Sequence, residues 1–219
     1  MVNARTFLDP AQTGQVSQAI AAAEKRTSAE IVCAVASESG RYDRAEGILG
    51  LAGSLLALSL LQLFFQSDSW EPVAVPLAYQ GAGVVLGYLL GNLLGTYVPG
   101  LRAPLVGPRE MLEETARAAS HVFAERRLGS TRKGGGVLIY LSLFERRVVV
   151  LADGGAALTE DELKSLRDLA LEQLRQGQRL QALIAPIEAA AELLSERLPY
   201  QEGDVNELPD ELLILHPRP

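Results

Sequence analysis

Cysteine is almost absent from this chain of 219 residues. Cys33 stands alone, which excludes an intramolecular disulfide and any cysteine-rich zinc site. Histidine is nearly as scarce, with His121 and His216 only, too few for a histidine-built metal centre. Basic residues are outnumbered, 20 Lys and Arg against 27 Asp and Glu, for a net charge of −7. No basic stripe interrupts that balance, so nucleic acid is not an expected partner. No serine–histidine–acid set, Cys-x₅-Arg loop or Gly-Lys-Ser/Thr phosphate loop can be argued from spacing. The N-terminal MVNARTFLDPAQTGQ lacks the apolar core of a signal peptide.

Charge is missing altogether from two long stretches. Residues 47–65, GILGLAGSLLALSLLQLFF, form one, and residues 73–98, VAVPLAYQGAGVVLGYLLGNLLGTYV, the other. A helix crossing the ~30 Å hydrocarbon core needs ~20 mainly apolar residues, and both runs meet that length. They predict a transmembrane hairpin whose first helix doubles as the insertion signal. Arg41 and Arg44 precede the first run, Arg102 and Arg109 follow the second, and the QSDSWEP link holds no basic residue. The positive-inside rule then expects a multi-pass inner-membrane protein with both termini cytoplasmic and the Trp70 link outside. Neither run carries an ionisable residue, which argues against a transport path. Gly83, Gly87, Gly91 and Gly95 recur every fourth residue of the second run. Such a stripe, a glycine zipper, lets helix backbones approach closely in lipid. Its occupant is the first run, a second copy of the chain, or another membrane protein.

The remainder reads as one α/β domain split by this insertion. Asp9-Pro10 starts a helix running to about Lys25. AEIVCAVAS, residues 29–37, is short and β-branched, a buried central strand. An amphipathic helix follows over residues 108–127, with Gly129 in the place a C-cap glycine prefers. GVLIYLSL, residues 136–143, is a second buried strand, and RVVVLA, residues 147–152, pairs back on it as a hairpin. Thr159 and Glu162 fit a capping box at the head of the next helix. A last helix spans about residues 180–198, with Pro186 as a kink or restart. The expected organisation is therefore residues 5–40 and 108–198 as two parts of one domain, residues 47–65 and 73–98 as transmembrane helices, and residues 199–219 as an acidic extended tail. Leu212 to Leu215 are suited to an edge strand.

Two loops carry candidate chemistry. Asp153 ends a strand, and Glu38 follows the first strand; if those strand ends share an edge, the two carboxylates could hold Ca²⁺ or Mg²⁺. The alternative is that Asp153 starts a turn whose glycines supply positive φ. Arg132 and Lys133, before Gly134-Gly135-Gly136, could face an anion or lipid headgroups, or simply belong to a loop before a strand.

The order of helix, strand, SGRYDRAE, paired apolar runs, amphipathic helix and GVLIYLSLFERRVVVLADGG resembles the TPM domain family. Phe7, Ala29-Glu30-Ile31-Val32, Gly136 to Ser142, Glu145-Arg146-Arg147 and Ala152-Asp153 carry the resemblance. Asn206-Glu207-Leu208-Pro209-Asp210 is similar to tails in a bacterial membrane-protein branch. The resemblance implies a small sheet covered by helices in a TPM-like sandwich. The family includes a thylakoid-lumen acid phosphatase, photosystem-repair proteins and an acetylcholine-receptor auxiliary subunit. It thus implies either an assembly, repair or auxiliary factor for a membrane partner, or a metal-assisted phosphatase.

Overall fold

The computed structural model describes residues 3–66, 74–131, 134–201 and 206–219. The Trp70 link and the Arg132–Lys133 pair lie outside these residues. The chain divides into two compact units, one of residues 41–108 and one that joins residues 2–40 to residues 109–219.

The joined unit is an α/β domain built on a mixed sheet of four strands. In chain order its elements are α1 (Pro10–Glu24), β1 (Ile31–Ala36), α5 (Pro108–Glu125), β2 (Val137–Ser142), β3 (Arg147–Ala152), α6 (Glu160–Arg175), α7 (Gln181–Arg197) and β4 (Leu213–Leu215). Strand order is β3-β2-β1-β4. β1 runs parallel to both β2 and β4, and β2 is antiparallel to β3. The tail beyond α7 therefore supplies a true edge strand beside β1.

Alternation along the strands explains the layers. A strand turns successive side chains to opposite faces. Ile31, Cys33, Val35, Val137, Ile139, Leu141, Val148 and Val150 share one face and pack on α1, α6 and α7. Val32, Ala34, Ala36, Leu138 and Tyr140 share the other and pack on α5. Both faces of β1 and β2 are covered, so neither strand shows a polar alternation.

The helices begin where capping chemistry sets them. Asp9 accepts the Gln12 N–H at 2.7 Å while the Gln12 side chain reaches back to the Asp9 N–H, with Pro10 at the first helical position. Thr159 and Glu162 form the same reciprocal box at α6. Pro186 lies inside α7 without ending it. One expected terminus is corrected. The left-handed residue after α5 is Arg127, at φ 55°, not Gly129, which falls in a short 3₁₀ turn over Leu128–Ser130. The glycine requirement lies further on, at Gly136, whose absent Cβ leaves room for the Leu128 carbonyl.

The other unit is a helical hairpin of α2 (Asp43–Gln66) and α3 (Leu77–Tyr97), followed by the short α4 (Pro99–Arg102). Both long helices are long and apolar enough to cross a membrane by length and composition. α2 starts four residues before the uncharged run, taking Asp43 and Glu46 into its first turn, where acids complement the helix dipole.

Candidate functional site

The parallel arrangement of β1, β2 and β4 brings three carboxyl strand ends to one edge of the sheet. Ala36 lies opposite Ser142 and Leu215 there, and Ser142 lies opposite Arg147. Open α/β sheets tend to place ligands at such an edge. Ser37, Glu38 and Ser39 leave β1, Glu145 occupies the β2–β3 turn, and His216 and Arg218 leave β4.

Two hydrogen-bonded groups result. In the first, Ser37 Oγ accepts the Ala4 N–H at 2.9 Å and lies 2.7 Å from His216 Nδ1. Either Ser37 Oγ or His216 Nδ1 can be the donor of that contact, since the hydroxyl oxygen has a second lone pair. Beside it, Arg218 Nε donates to Glu38 Oε1 at 2.7 Å. In the second group, Glu145 Oε1 accepts the Ser39 N–H at 2.9 Å, and Glu145 Oε2 accepts the Ser142 hydroxyl. Ser39 Oγ donates to Ser142 Oγ at 2.7 Å and lies 2.9 Å from the Tyr140 hydroxyl. Ser39 has only one hydroxyl proton, so Tyr140 must be the donor of that last contact. The protons thus run in one direction, from Tyr140 through Ser39 and Ser142 to a buried carboxylate. Burial pushes the Tyr140 phenol up to about 12, with the Ser39 hydrogen bond opposing. The network ties the loop after β1 to the β2–β3 turn.

A second polar cleft, of about 220 Å³, opens at the amino end of β1, between the end of α1 and the tail. Glu24 Oε1 accepts the Ile31 N–H at 3.2 Å, and Glu24 Oε2 accepts from Asn206 Nδ2 at 3.1 Å. Glu30 Oε1 accepts the Glu207 N–H at 3.0 Å. Burial, reinforced by a side-chain hydrogen bond with Asp210, pushes the Glu24 carboxyl up to about 9. The tail is held to α1 and β1 by these carboxyl groups.

The candidate metal ligands are not brought together. Glu38 lies beyond the Ala36 end of β1, whereas Asp153 follows β3, whose end lies opposite Val137 at the other edge. Antiparallel pairing of β3 returns the chain there, so the shared edge that would join the two acids does not exist. Six paired positions at a rise of ~3.3 Å put ~16 Å between those edges. Asp153 Oδ1 accepts the Gly135 N–H at 2.9 Å and the Ala156 N–H at 3.0 Å, capping a 3₁₀ turn over Gly154–Ala156. The positive φ angles nearby belong to Gly134, Gly135 and Ala157, not to Gly154 and Gly155. Glu38 and Asp153 therefore do not fit one Ca²⁺ or Mg²⁺. Among the described residues no group of three or more His, Cys, Asp or Glu is placed to hold a metal. The Gly135 amide, just after the Arg132–Lys133 pair expected to face an anion, donates to Asp153.

The glycine stripe has a definite neighbour. A Cβ on Gly87 would stand 2.5 Å from the Gly53 carbonyl oxygen, and one on Gly91 would strike the Leu49 carbonyl. Gly83 faces the Leu61 side chain, and Gly95 faces Leu49 and Glu46. All four glycines lie against α2. Ser54 Oγ donates to the Val84 carbonyl at 2.9 Å across the same seam. At one end of the hairpin, Arg102 is buried, 2.7 Å from Glu46 and over the Tyr42 ring at 5.5 Å.

Sequence reasoning missed Ser39, Ser142 and Glu145 as a unit. A signal existed, since Ser142 is the one hydroxyl-bearing aliphatic position in the apolar run Val137–Ser142, besides the Tyr140 phenol. The edge strand expected at Leu212–Leu215 is what returns His216 and Arg218 to β1, but its pairing partner had no local signal.

No family model matches the chain, and no curated protein matches it. A solved structure is similar: the NMR structure of the BA42 protein from the psychrophilic bacterium Bizionia argentinensis, at 19% identity and a TM-score of 0.56, covering 94% of each chain. At that identity the likeness shows the fold alone.

Proposed function

We propose that this chain is an integral inner-membrane protein, anchored by the α2–α3 hairpin, that serves as an assembly, repair or auxiliary factor for a membrane partner. In this reading both termini and the TPM-like α/β domain are cytoplasmic, and the link between α2 and α3 is outside. The observation that carries it is the inverted burial of the hairpin. Its small residues Gly50, Ser54, Gly87, Gly91 and Gly95 are buried, while Leu55, Phe64 and Leu86 are exposed at 67%, 76% and 59%. Exposed apolar surface on that scale is costly in water and ordinary in lipid. Because the glycine face is filled by α2, contact with a partner falls to the outer hairpin surface or to the domain.

The phosphatase alternative implied by the family resemblance draws no support from the geometry. Asp153 is a turn cap, and Glu38 is paired with Arg218 at the opposite edge.

The test is topological and biochemical. The full chain should stay with membranes after an alkaline carbonate wash. Reporter fusions at Asp68 should read outside, and fusions at Pro219 should read cytoplasmic. Cross-linking in membranes should return a second protein. Release by carbonate would remove the anchor, reversed reporters would relocate the domain, and recovery of the chain alone would remove the auxiliary role.

A further inference from the structure

The sheet ends in β3 on one side and in β4 on the other. β4 closes one side of β1, but β3 pairs only with β2. The β2–β3 register fixes which groups β3 leaves outward. Asp153 N–H donates to Gly136 C=O, so the facing pairs two residues apart, Leu138 with Leu151 and Tyr140 with Val149, exchange their hydrogen bonds. The intervening residues Val148 and Val150 must therefore aim their N–H and C=O groups at the free edge.

A groove of about 390 Å³ runs along this edge. Its floor is β3. One wall is α5, which contributes Leu112 and Ala116, and the other is α6, which contributes Leu163 and Leu171 together with Lys164 and Arg167. Arg146 and Arg147 stand where β3 begins. Four cations thus line the groove and no acid does, in a chain of net charge −7. Lys164 pairs with Glu160 and Asp161, and Arg167 pairs with Asp168; these acids lie outside the lining.

We propose that this groove binds an extended acidic segment of a partner protein by strand addition, as a fifth strand on β3. Backbone pairing to Val148 and Val150 supplies the attachment, and side-chain alternation supplies the selection. Successive residues of an added strand point to opposite faces. One set meets Leu112 and Ala116, which suits small or branched apolar residues. The other meets Lys164 and Arg167, which suits Asp or Glu. The segment that fits alternates acidic and apolar residues over about six positions, the length of β3. A second copy of β3 is a poor occupant, since edge-to-edge pairing would bring two sets of the same cations together. This surface supplies a docking site for the auxiliary role above, yet it stands whether or not the hairpin lies in a bilayer.

The experiment uses the full chain in detergent micelles and a synthetic octapeptide alternating glutamate and valine. Binding is read by anisotropy of a labelled peptide, and amide exchange of Val148 and Val150 is read by NMR. The expected result is saturable binding, slowed exchange at both amides, and affinity that falls as salt rises. The same peptide with lysine for glutamate, or N-methylated at alternate residues, should bind at least tenfold more weakly. The exposed double variant Arg146→Glu/Lys164→Glu should lose the same affinity while keeping the unbound amide spectrum of β2. Equal binding of both charge types, no binding at millimolar peptide, or unchanged exchange at Val148 and Val150 each overturns the proposal. So does a concentration-dependent dimer that protects those amides without peptide. In these cases the cations merely guard a bare edge. Membrane association is scored separately by the carbonate wash, so failure of either reading leaves the other legible.

Discussion

The hairpin and the α/β domain use apolar residues in opposite ways. In the domain, Ile31, Val137, Leu138 and Ile139 are essentially sealed from the surface, and the charged side chains of α6 face outward. In the hairpin many large side chains, Leu55, Phe64 and Leu86 among them, point away from the seam, and the residues buried in it include Gly50, Ser54, Gly87, Gly91 and Gly95. The domain is held by removing large apolar area from water. The hairpin is held by close backbone approach and the Ser54–Val84 hydrogen bond, with its area left for another apolar medium. The same residue type therefore carries opposite weight in the two units, and substitutions can measure that.

The sharpest separation should come from Gly91→Leu. Its side chain has no space against the Leu49 backbone, so α2 and α3 must part. We expect closure of the hairpin to be lost, read as new protease sensitivity of α2 and α3 in detergent, with the domain's amide spectrum preserved. An unchanged digestion pattern would mean that the seam tolerates bulk and the contrast is misdrawn. Next in size is Ile139→Ala, in a strand buried on both faces, which should cost about 2–5 kcal/mol of domain stability by denaturant titration. Its counterpart Leu55→Ala, on the exposed outer surface of α2, should leave helix pairing within about 0.5 kcal/mol. Equal losses at the two positions would erase the distinction.

A pH dependence is also expected, confined to the domain. In the fold, burial pushes the Glu24 carboxyl from its ordinary 4.5 up to about 9. Its contribution to stability is fully present below the unfolded value and is lost as pH rises through the folded one. The tail's contact with α1 should therefore loosen between about pH 4.5 and 9, read as faster amide exchange at Glu207. Glu24→Gln should flatten that profile. A profile unchanged by the variant would place the titration elsewhere.

Much of this architecture is written in local pattern. The uncharged runs mark α2 and α3 because length and composition suffice. β1 and β2 stand out because a strand covered on both faces must be apolar throughout. Asp9 and Thr159 mark helix starts because a cap is a contact over three residues. What resisted reading was set by distance along the chain. Asp153 looked like a partner for Glu38 until the antiparallel return of β3 put them at opposite edges. The Ser39–Ser142–Glu145 network joins loops more than a hundred residues apart in sequence, so spacing could not propose it. The left-handed turn at Arg127 was misplaced to Gly129 because glycine tolerates that conformation but does not mark where the chain needs it.

The pairing of β1 also sets a timetable. This strand emerges from the ribosome before its partners, β2, about a hundred residues later, and β4, about seventy beyond that. Until then both of its edges are bare and its IVCAVA side chains have no sheet to join. Both long apolar helices are synthesised during that interval, before any strand can pair. Contacts this distant in sequence are slow to form, so the first strand waits through translation of the hairpin. A chain halted before Leu213 would leave β1 permanently open along one side, a ready template for pairing with other chains.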